Sequence, residues 1–305
     1  MKVLVTGGAG FVGSHLVDAL VEAGHDTVVV DNLASSDAEN VNSHAAFHQI
    51  DVRAPELRDI LTRERPEVVF HHAAQTTVKG STSNPRYDAD VNVMGLLNLV
   101  EGCIAAGTRK VVFASSGGTV YGDAANLPVR ETEPLSPLSP YGITKTASEH
   151  YLRYFGSSGR LSFTILRYSN IYGPRDHASS EHVITVFIDR LLQGATPTIH
   201  WDGEQAKDYL YVGDCVAANL AALTAGDNEA YNIGSGRPIS VNEIYGHVAR
   251  TMGSDLDPEY GPKREGDVRT FYLDVSKAQA ELGWAPKVGF EEGLRRTVES
   301  YTKRP

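Results

Sequence analysis

Apolar and polar positions in the first half of the chain follow two alternating periods. Short, nearly unbroken apolar runs, rich in valine, occupy residues 2–6, 26–31, 46–50, 67–70, 110–114 and 161–166. Runs of that length between polar boundaries predict strands buried on both faces. Segments of helical period lie between them, over residues 11–23, 55–65, 87–106 and 141–155. Ser139 and Pro140 open the last of these, and the missing proline N–H costs nothing in a first turn. Strands separated by helices imply an α/β fold with a doubly wound parallel sheet, whose ligands bind at the strands' C-terminal ends. Beyond about residue 174 the alternation weakens into turn-rich stretches, with helices predicted over 183–193, 273–283 and 291–301. We expect two domains: residues 1–173, to which later segments return, and a smaller C-terminal α/β domain over residues 174–305.

The turn after the first strand reads Gly7-Gly8-Ala9-Gly10-Phe11-Val12-Gly13. Glycines at that spacing allow a tight turn, close approach of backbone to a pyrophosphate, and packing of helix on strand. The helix N-terminus that follows offers free N–H groups to the phosphates. Gly7, Gly10, Phe11, Val12 and Gly13 are therefore candidate contacts to a dinucleotide in a Rossmann domain. The second strand ends in Asp31-Asn32, eighteen residues after Gly13, where a carboxylate grips ribose hydroxyls and repels a 2′-phosphate. No Lys or Arg follows before Arg53, which favours NAD over NADP. Asp51, Val52, Ala73 and Ala74 fall at later strand ends and are candidate cofactor contacts too.

Tyr141 and Lys145 stand four residues apart on a predicted helix and so share one face. An ordinary phenol titrates near ~10, so about 0.1% is ionised at pH 7, and closing the gap of roughly three units needs about 4 kcal/mol. A neighbouring ammonium together with a cofactor cation supplies stabilisation of that sign in a water-poor site. Tyr141 is thus a candidate base. An ordinary surface pair has the same spacing, and it is the surrounding motifs that favour chemistry.

The formal net charge is -10, which argues against a general nucleic-acid binder. Two cysteines, Cys103 and Cys215, sit in apolar helical surroundings and read as reduced core residues. His71-His72 has no third ligand nearby, so no metal is expected. No apolar run approaches the ~20 residues of a membrane span, and residues 2–6 read as a strand rather than a signal peptide. A cytoplasmic protein without membrane partners is the expectation.

Further segments carry a resemblance. They are Thr6–Gly13, His71-His72-Ala73-Ala74, Asn92-Val93-Met94-Gly95, Ser115-Ser116-Gly117-Gly118-Thr119-Val120-Tyr121-Gly122 and Tyr141-Gly142-x-x-Lys145. Arg167-Tyr168-Ser169-Asn170-Ile171-Tyr172-Gly173-Pro174, Asn232-Ile233-Gly234-Ser235-Gly236 and Arg264-Glu265-Gly266-Asp267 follow. Together these resemble the extended short-chain dehydrogenase/reductases, and within them the UDP-glucose 4-epimerases.

The resemblance implies a catalytic group of Ser or Thr, Tyr and Lys, acting on a UDP-sugar with NAD. Tyr141 would take the proton of the sugar 4-hydroxyl, and Lys145 would lower its pKa and hold the nicotinamide ribose. In the family the hydroxyl residue stands four before the tyrosine of Val-Tyr-Gly, where this chain has Gly117. Ser116 is favoured as its replacement over Ser115. Asn92 and Tyr168 would contact the cofactor, and Asn170, Lys207, Arg264 and Asp267 would hold the UDP-sugar with Ser116 and Tyr141. Phe271 would leave little room for an N-acetyl group, favouring UDP-glucose and UDP-galactose. Gly117 and Gly118 can supply no proton, which disfavours dehydration. The alternatives are a UDP-glucuronate 4-epimerase, with Arg175 or His177 near the sugar carboxylate, another nucleotide-sugar epimerase or reductase, and a non-catalytic NAD-binding scaffold. The resemblance also implies a homodimer paired through helices 87–106 and 141–155.

Overall fold

The computed structural model describes residues 1–177, 182–263 and 268–302. Its first half runs β1 (Lys2–Thr6), α1 (Phe11–Glu22), β2 (Asp26–Asp31), β3 (Ala46–Gln49), α2 (Glu56–Glu64), β4 (Val68–His71), α3 (Val78–Ser83) and α4 (Pro85–Ala89). A π-helical turn (Asp90–Met94) then leads into α5 (Gly95–Ala106), β5 (Lys110–Ser116), α6 (Gly117–Val120), α7 (Pro140–Ser157) and β6 (Ser162–Tyr168). The second half follows as β7 (Asn170–Tyr172), α8 (Val183–Leu192), β8 (Thr198–His200), β9 (Ala206–Tyr211), α9 (Val212–Ala222), β10 (Glu229–Ile233) and β11 (Pro238–Ser240). The chain closes with α10 (Val241–Met252), β12 (Glu259–Gly261), β13 (Thr270–Phe271), α11 (Ser276–Leu282) and α12 (Phe290–Thr302).

Seven parallel strands form the main sheet in the order β10-β6-β5-β4-β1-β2-β3, doubly wound about β1 and β4. The valine-rich runs are explained by burial on both faces. Val3 and Val5 point into a core with α1 and α9, while Leu4 points into a second core with α2, α5 and α7. All three β1 side chains are fully buried. A smaller sheet is built on β9, which lies between β11 and β13 and also pairs with β7, and β8 pairs with β12. Helices α8, α10 and α12 cover a third core there. The chain changes sheets at Ser169, between β6 and β7, and returns to the main sheet at β10.

Three elements differ from the sequence reading. The helix expected over 87–106 is interrupted by the π-helical turn, which places Asn92 on a local widening of the helix. Counted from Pro85, this helical run of 22 residues is long and apolar enough to cross a membrane by length and composition. Its inner positions Leu96, Leu99, Val100 and Cys103 instead fill the second core. The helix expected from residue 273 begins at Ser276, and Leu273 instead bridges to Val129. Strand β5 also continues past residue 114, so Ser115 and Ser116 are its last two residues.

Candidate active site

The glycine turn forms the floor of the cofactor end. Gly7 has φ 70°, and a Cβ there would lie 2.6 Å from the Ala73 nitrogen. A Cβ on Gly13 would lie 2.1 Å from the Gly7 carbonyl oxygen. Gly10 caps α1 without any side-chain hydrogen bond, so the first-turn N–H groups around Phe11 and Val12 are left to a ligand. This is a cradle that side chains would fill, and it fits the pyrophosphate of NAD.

Asp31 is buried at the end of β2, where its carboxylate accepts the N–H of Ala9 at 3.0 Å and of Leu33 at 2.9 Å. Asn32 donates to Asp51 at 2.9 Å, and Arg53 forks onto both Asp51 oxygens at 2.8 Å. That guanidinium holds the Asp51 carboxyl well below the usual carboxylate range. Arg53 also bonds Asp90 at 2.7 Å. Its charge is thereby neutralised twice, which leaves nothing to attract a 2′-phosphate and strengthens the preference for NAD. Val52 packs beneath Gly95, while the Ala73 N–H reaches Thr6 Oγ1 at 3.3 Å, with Ala74 next along the chain.

The catalytic end is set by β5 and α7. Ser139 accepts the Gly142 N–H at 3.1 Å and Pro140 takes the first position, fixing where α7 starts. Tyr141 and Lys145 then project from one face toward β5. The Ser116 hydroxyl stands beside the Tyr141 phenol, where it favours the ionised form. Ser115 does not compete for it, because its hydroxyl donates to Glu149 at 2.6 Å. Gly117 has its own reason: a Cβ there would lie 2.9 Å from a Leu273 methyl and 3.2 Å from the Arg167 carbonyl oxygen.

Burial pushes the Tyr141 phenol above its ordinary value, against the pull of the nearby Ser116 hydroxyl. The protein's groups alone therefore do not make Tyr141 a base at neutral pH. Lys145, 4% exposed, is pushed down to about 8 by burial, while Asp88 and Glu149 pull it back up. At that value roughly nine-tenths of it carries charge at pH 7. Its ammonium donates to the Ala114 carbonyl at 2.9 Å and lies 5.7 Å from the Tyr141 ring centre.

Asn92 joins the π-helical turn to this group. Its amide donates to Asp88, to Thr144 and to the Gln75 carbonyl, and Thr144 donates to Asp88 at 2.7 Å. Tyr168 donates to Asn219 at 2.9 Å and stacks on His72 at 6.2 Å. Burial lowers His71 to about 3 and His72 to about 4, so both rings are neutral at pH 7. Asp88, Thr144, Glu149 and Asn219 escaped the sequence reading. Two of them left a signal: Asp88 stands four before Asn92, and Glu149 four after Lys145.

On the substrate side, Asn170 donates to the Asp208 carbonyl at 3.1 Å and lines a cleft of about 180 Å³ with Tyr172, His182 and Tyr209. Lys207 lies on β9, two residues before Tyr209, which pairs with Asn170. Phe271 pairs in register with Lys207 and is buried in the first core with Tyr168 and Leu273. Arg264 and Asp267 lie outside the described residues. Arg175 and His177 are engaged elsewhere, by Asp18 at 2.7 Å and Asp37 at 3.0 Å.

Residues 3–234 match the Epimerase family, described as the NAD dependent epimerase/dehydratase family. The UDP-glucose 4-epimerase of Mycolicibacterium smegmatis is 40% identical over 311 residues, covering 100% of this chain and 99% of that protein. The UDP-glucose 4-epimerase of Thermotoga maritima, solved with UDP-glucose, superposes with a TM-score of 0.97 at 46% identity over 99% of both chains. The UDP-glucose 4-epimerase of Thermus thermophilus, solved with NAD, gives a TM-score of 0.92 at 41% identity, again over 99% of both.

Proposed function

This chain belongs to the NAD dependent epimerase/dehydratase family, and from that premise we propose that it interconverts the C4 epimers of a UDP-hexose, UDP-glucose and UDP-galactose. The observation that carries the reading is the group Ser116–Tyr141–Lys145, gathered where β5 ends, at the same C-terminal end of the parallel sheet as the glycine turn. Bound NAD supplies the acceptor, and afterwards the donor, of a hydride at C4. Tyr141 takes the 4-hydroxyl proton as that carbon is oxidised and returns it when the 4-keto sugar, turned over in the site, is reduced on its other face. Ser116, whose hydroxyl stands beside the phenol, donates to the same sugar oxygen. The positive charge of Lys145, together with that of the oxidised cofactor, offsets the burial that keeps the phenol protonated. Gly7, Gly10, Gly13 and Asp31 hold the dinucleotide, and Asn170, Lys207, Arg264 and Asp267 the UDP moiety.

Purified protein incubated with UDP-galactose should yield UDP-glucose, read by the anomeric proton signals. No conversion by protein carrying a full complement of NAD overturns the reading. UDP-glucuronate is disfavoured as substrate because Arg175 and His177, the side chains expected to meet its carboxylate, already face Asp18 and Asp37.

A homodimer completes the reading. On α7, Ile143, Ala147, Tyr151 and Tyr154 recur at helical spacing, two residues out of phase with Tyr141, Lys145 and Glu149, and so form the opposite face. Ile143 is 55% and Tyr154 62% exposed, and an apolar hollow of about 520 Å³ lies among Ala147, His150, Tyr151 and Tyr154. Met94, just before α5, is 56% exposed as well. Surfaces of this kind mark association sites, and a second copy pairing α5 and α7 would cover this one.

A further inference from the structure

Behind the catalytic group lies a fully buried polar chain. Glu149 accepts from Ser115 at 2.6 Å and from Arg167, whose Nε lies 3.0 Å and Nη2 2.6 Å from its oxygens. Arg167 Nη1 donates to the Tyr121 hydroxyl at 2.7 Å, and Tyr121 donates to Asn232 at 2.6 Å. Asn232 closes the chain onto the carbonyls of Val129 and Asp274. Glu149, Arg167, Ser115, Tyr121 and Asn232 are each no more than 3% exposed. A buried ion pair of this kind rarely adds stability over an apolar pair of the same size, so its presence calls for another reason.

The reason lies in what it joins. Glu149 is one turn beyond Lys145 and two beyond Tyr141 on α7; Ser115 precedes Ser116; Arg167 precedes Tyr168. One carboxylate thus ties the helix bearing the base to the two strand ends that carry its hydroxyl partner and the tyrosine beside His72. We infer that Glu149 is a positioning residue: with Arg167 and Ser115 it fixes α7 against β5 and β6 so that Ser116, Tyr141 and Lys145 meet. Neither glutamate nor arginine touches the reacting atoms. The carboxylate acts in a second way as well, as one of the two negative charges that favour the protonated Lys145. The titratable groups around that ammonium are Asp88 from α4, Glu149 from α7, His71 and His72 at the end of β4, and Tyr141. The histidines are neutral at pH 7, so Asp88 and Glu149 supply the opposing charge.

This inference rests on the epimerase reading for its rate measurement and not for its titration. Glu149→Gln keeps the shape and one acceptor and removes the charge. The variant, with its NAD, should lose at least tenfold in kcat at unchanged KM and NAD content. Followed by NMR on labelled lysine, with Lys145 identified by the signal lost in Lys145→Met, its midpoint should move below the value of about 8. Should Glu149→Gln fail to fold, Glu149→Leu/Arg167→Met replaces the pair with apolar residues and tests the same two readouts. A kcat within twofold of the parent per mole of folded protein, or an unmoved Lys145 midpoint, overturns the inference. If the parent protein converts no UDP-galactose, the epimerase reading fails while the titration still decides this one.

Discussion

The Ser116 hydroxyl stands beside the Tyr141 phenol and favours its ionised form, whereas the preceding serine on the strand bonds Glu149. Ser115 continues the strand face of Val111 and Phe113, which points toward α7 and the second core. Ser116 is the last strand residue, and Leu273 fills the space beside the next residue, Gly117. Ser116→Ala should therefore lower kcat by about 100-fold, the lower range for removing a group that handles a proton. Ser115→Ala should cost less than tenfold in rate and about 1.5–3 kcal/mol in stability, the scale for a hydrogen bond lost from a buried charged group. Steady-state kinetics and urea unfolding of the two variants check the contrast. Equal rate losses would show that both serines serve the reaction.

Tyr141→Phe removes one oxygen and leaves the ring in place. The base is lost, and kcat should fall by about 1,000-fold or more. The glycine cradle and Asp31 are untouched, so NAD content, measured after acid release of the cofactor, should match that of the parent. A rate within tenfold of the parent would remove Tyr141 from its role.

Lys145 carries a stability consequence of its own. Its folded-state value, about 8, lies below the ordinary 10.5. Between those values the unfolded chain binds more protons, so stability rises with pH across that window. Below pH 8 the buried charge costs on the order of 3 kcal/mol. Lys145→Met should therefore be more stable than the parent at pH 7 by up to about that amount, and the advantage should shrink as pH approaches 10. Its kcat should collapse over the same range. Urea unfolding of both proteins at pH 7 and pH 9.5 reads the difference, and an advantage that does not shrink with pH would refute the assignment.

What the chain revealed by itself was what local spacing encodes. The glycine turn, Asp31 at the end of β2, and Tyr141 four residues before Lys145 all lie within one strand–helix–strand unit or one helical turn. The preference for Ser116 over Ser115 also rested on local geometry, through the freedom of the two glycines that follow. Contacts between distant segments left little trace. Thr144 meets Asp88 across 56 positions, and Leu273, assigned to a helix by its apolar neighbours, instead packs against Gly117. Glu149, like Asp88, was a readable omission. A carboxylate in phase with Tyr141 and Lys145 faces inward, and an inward carboxylate requires a partner.

The outer face of α7 gives the remaining prediction. Its catalytic face is buried in the fold, while Ile143 and Tyr154 stand open to solvent with Leu138, which is 74% exposed. Covering such side chains is favourable by roughly 25 cal/mol per Å² of apolar area, which a second copy supplies in solution. Ile143→Glu/Tyr154→Glu places two carboxylates where that contact would exclude water, and an unpaired buried charge is strongly unfavourable. Sedimentation should show the parent as a dimer and the double variant as a folded monomer with an unchanged circular dichroism spectrum. Both substituted positions point away from Ser116, Tyr141 and Lys145, so loss of the dimer need not abolish chemistry in each subunit. A parent that sediments as a monomer at micromolar concentration would leave this face without a second copy to cover it.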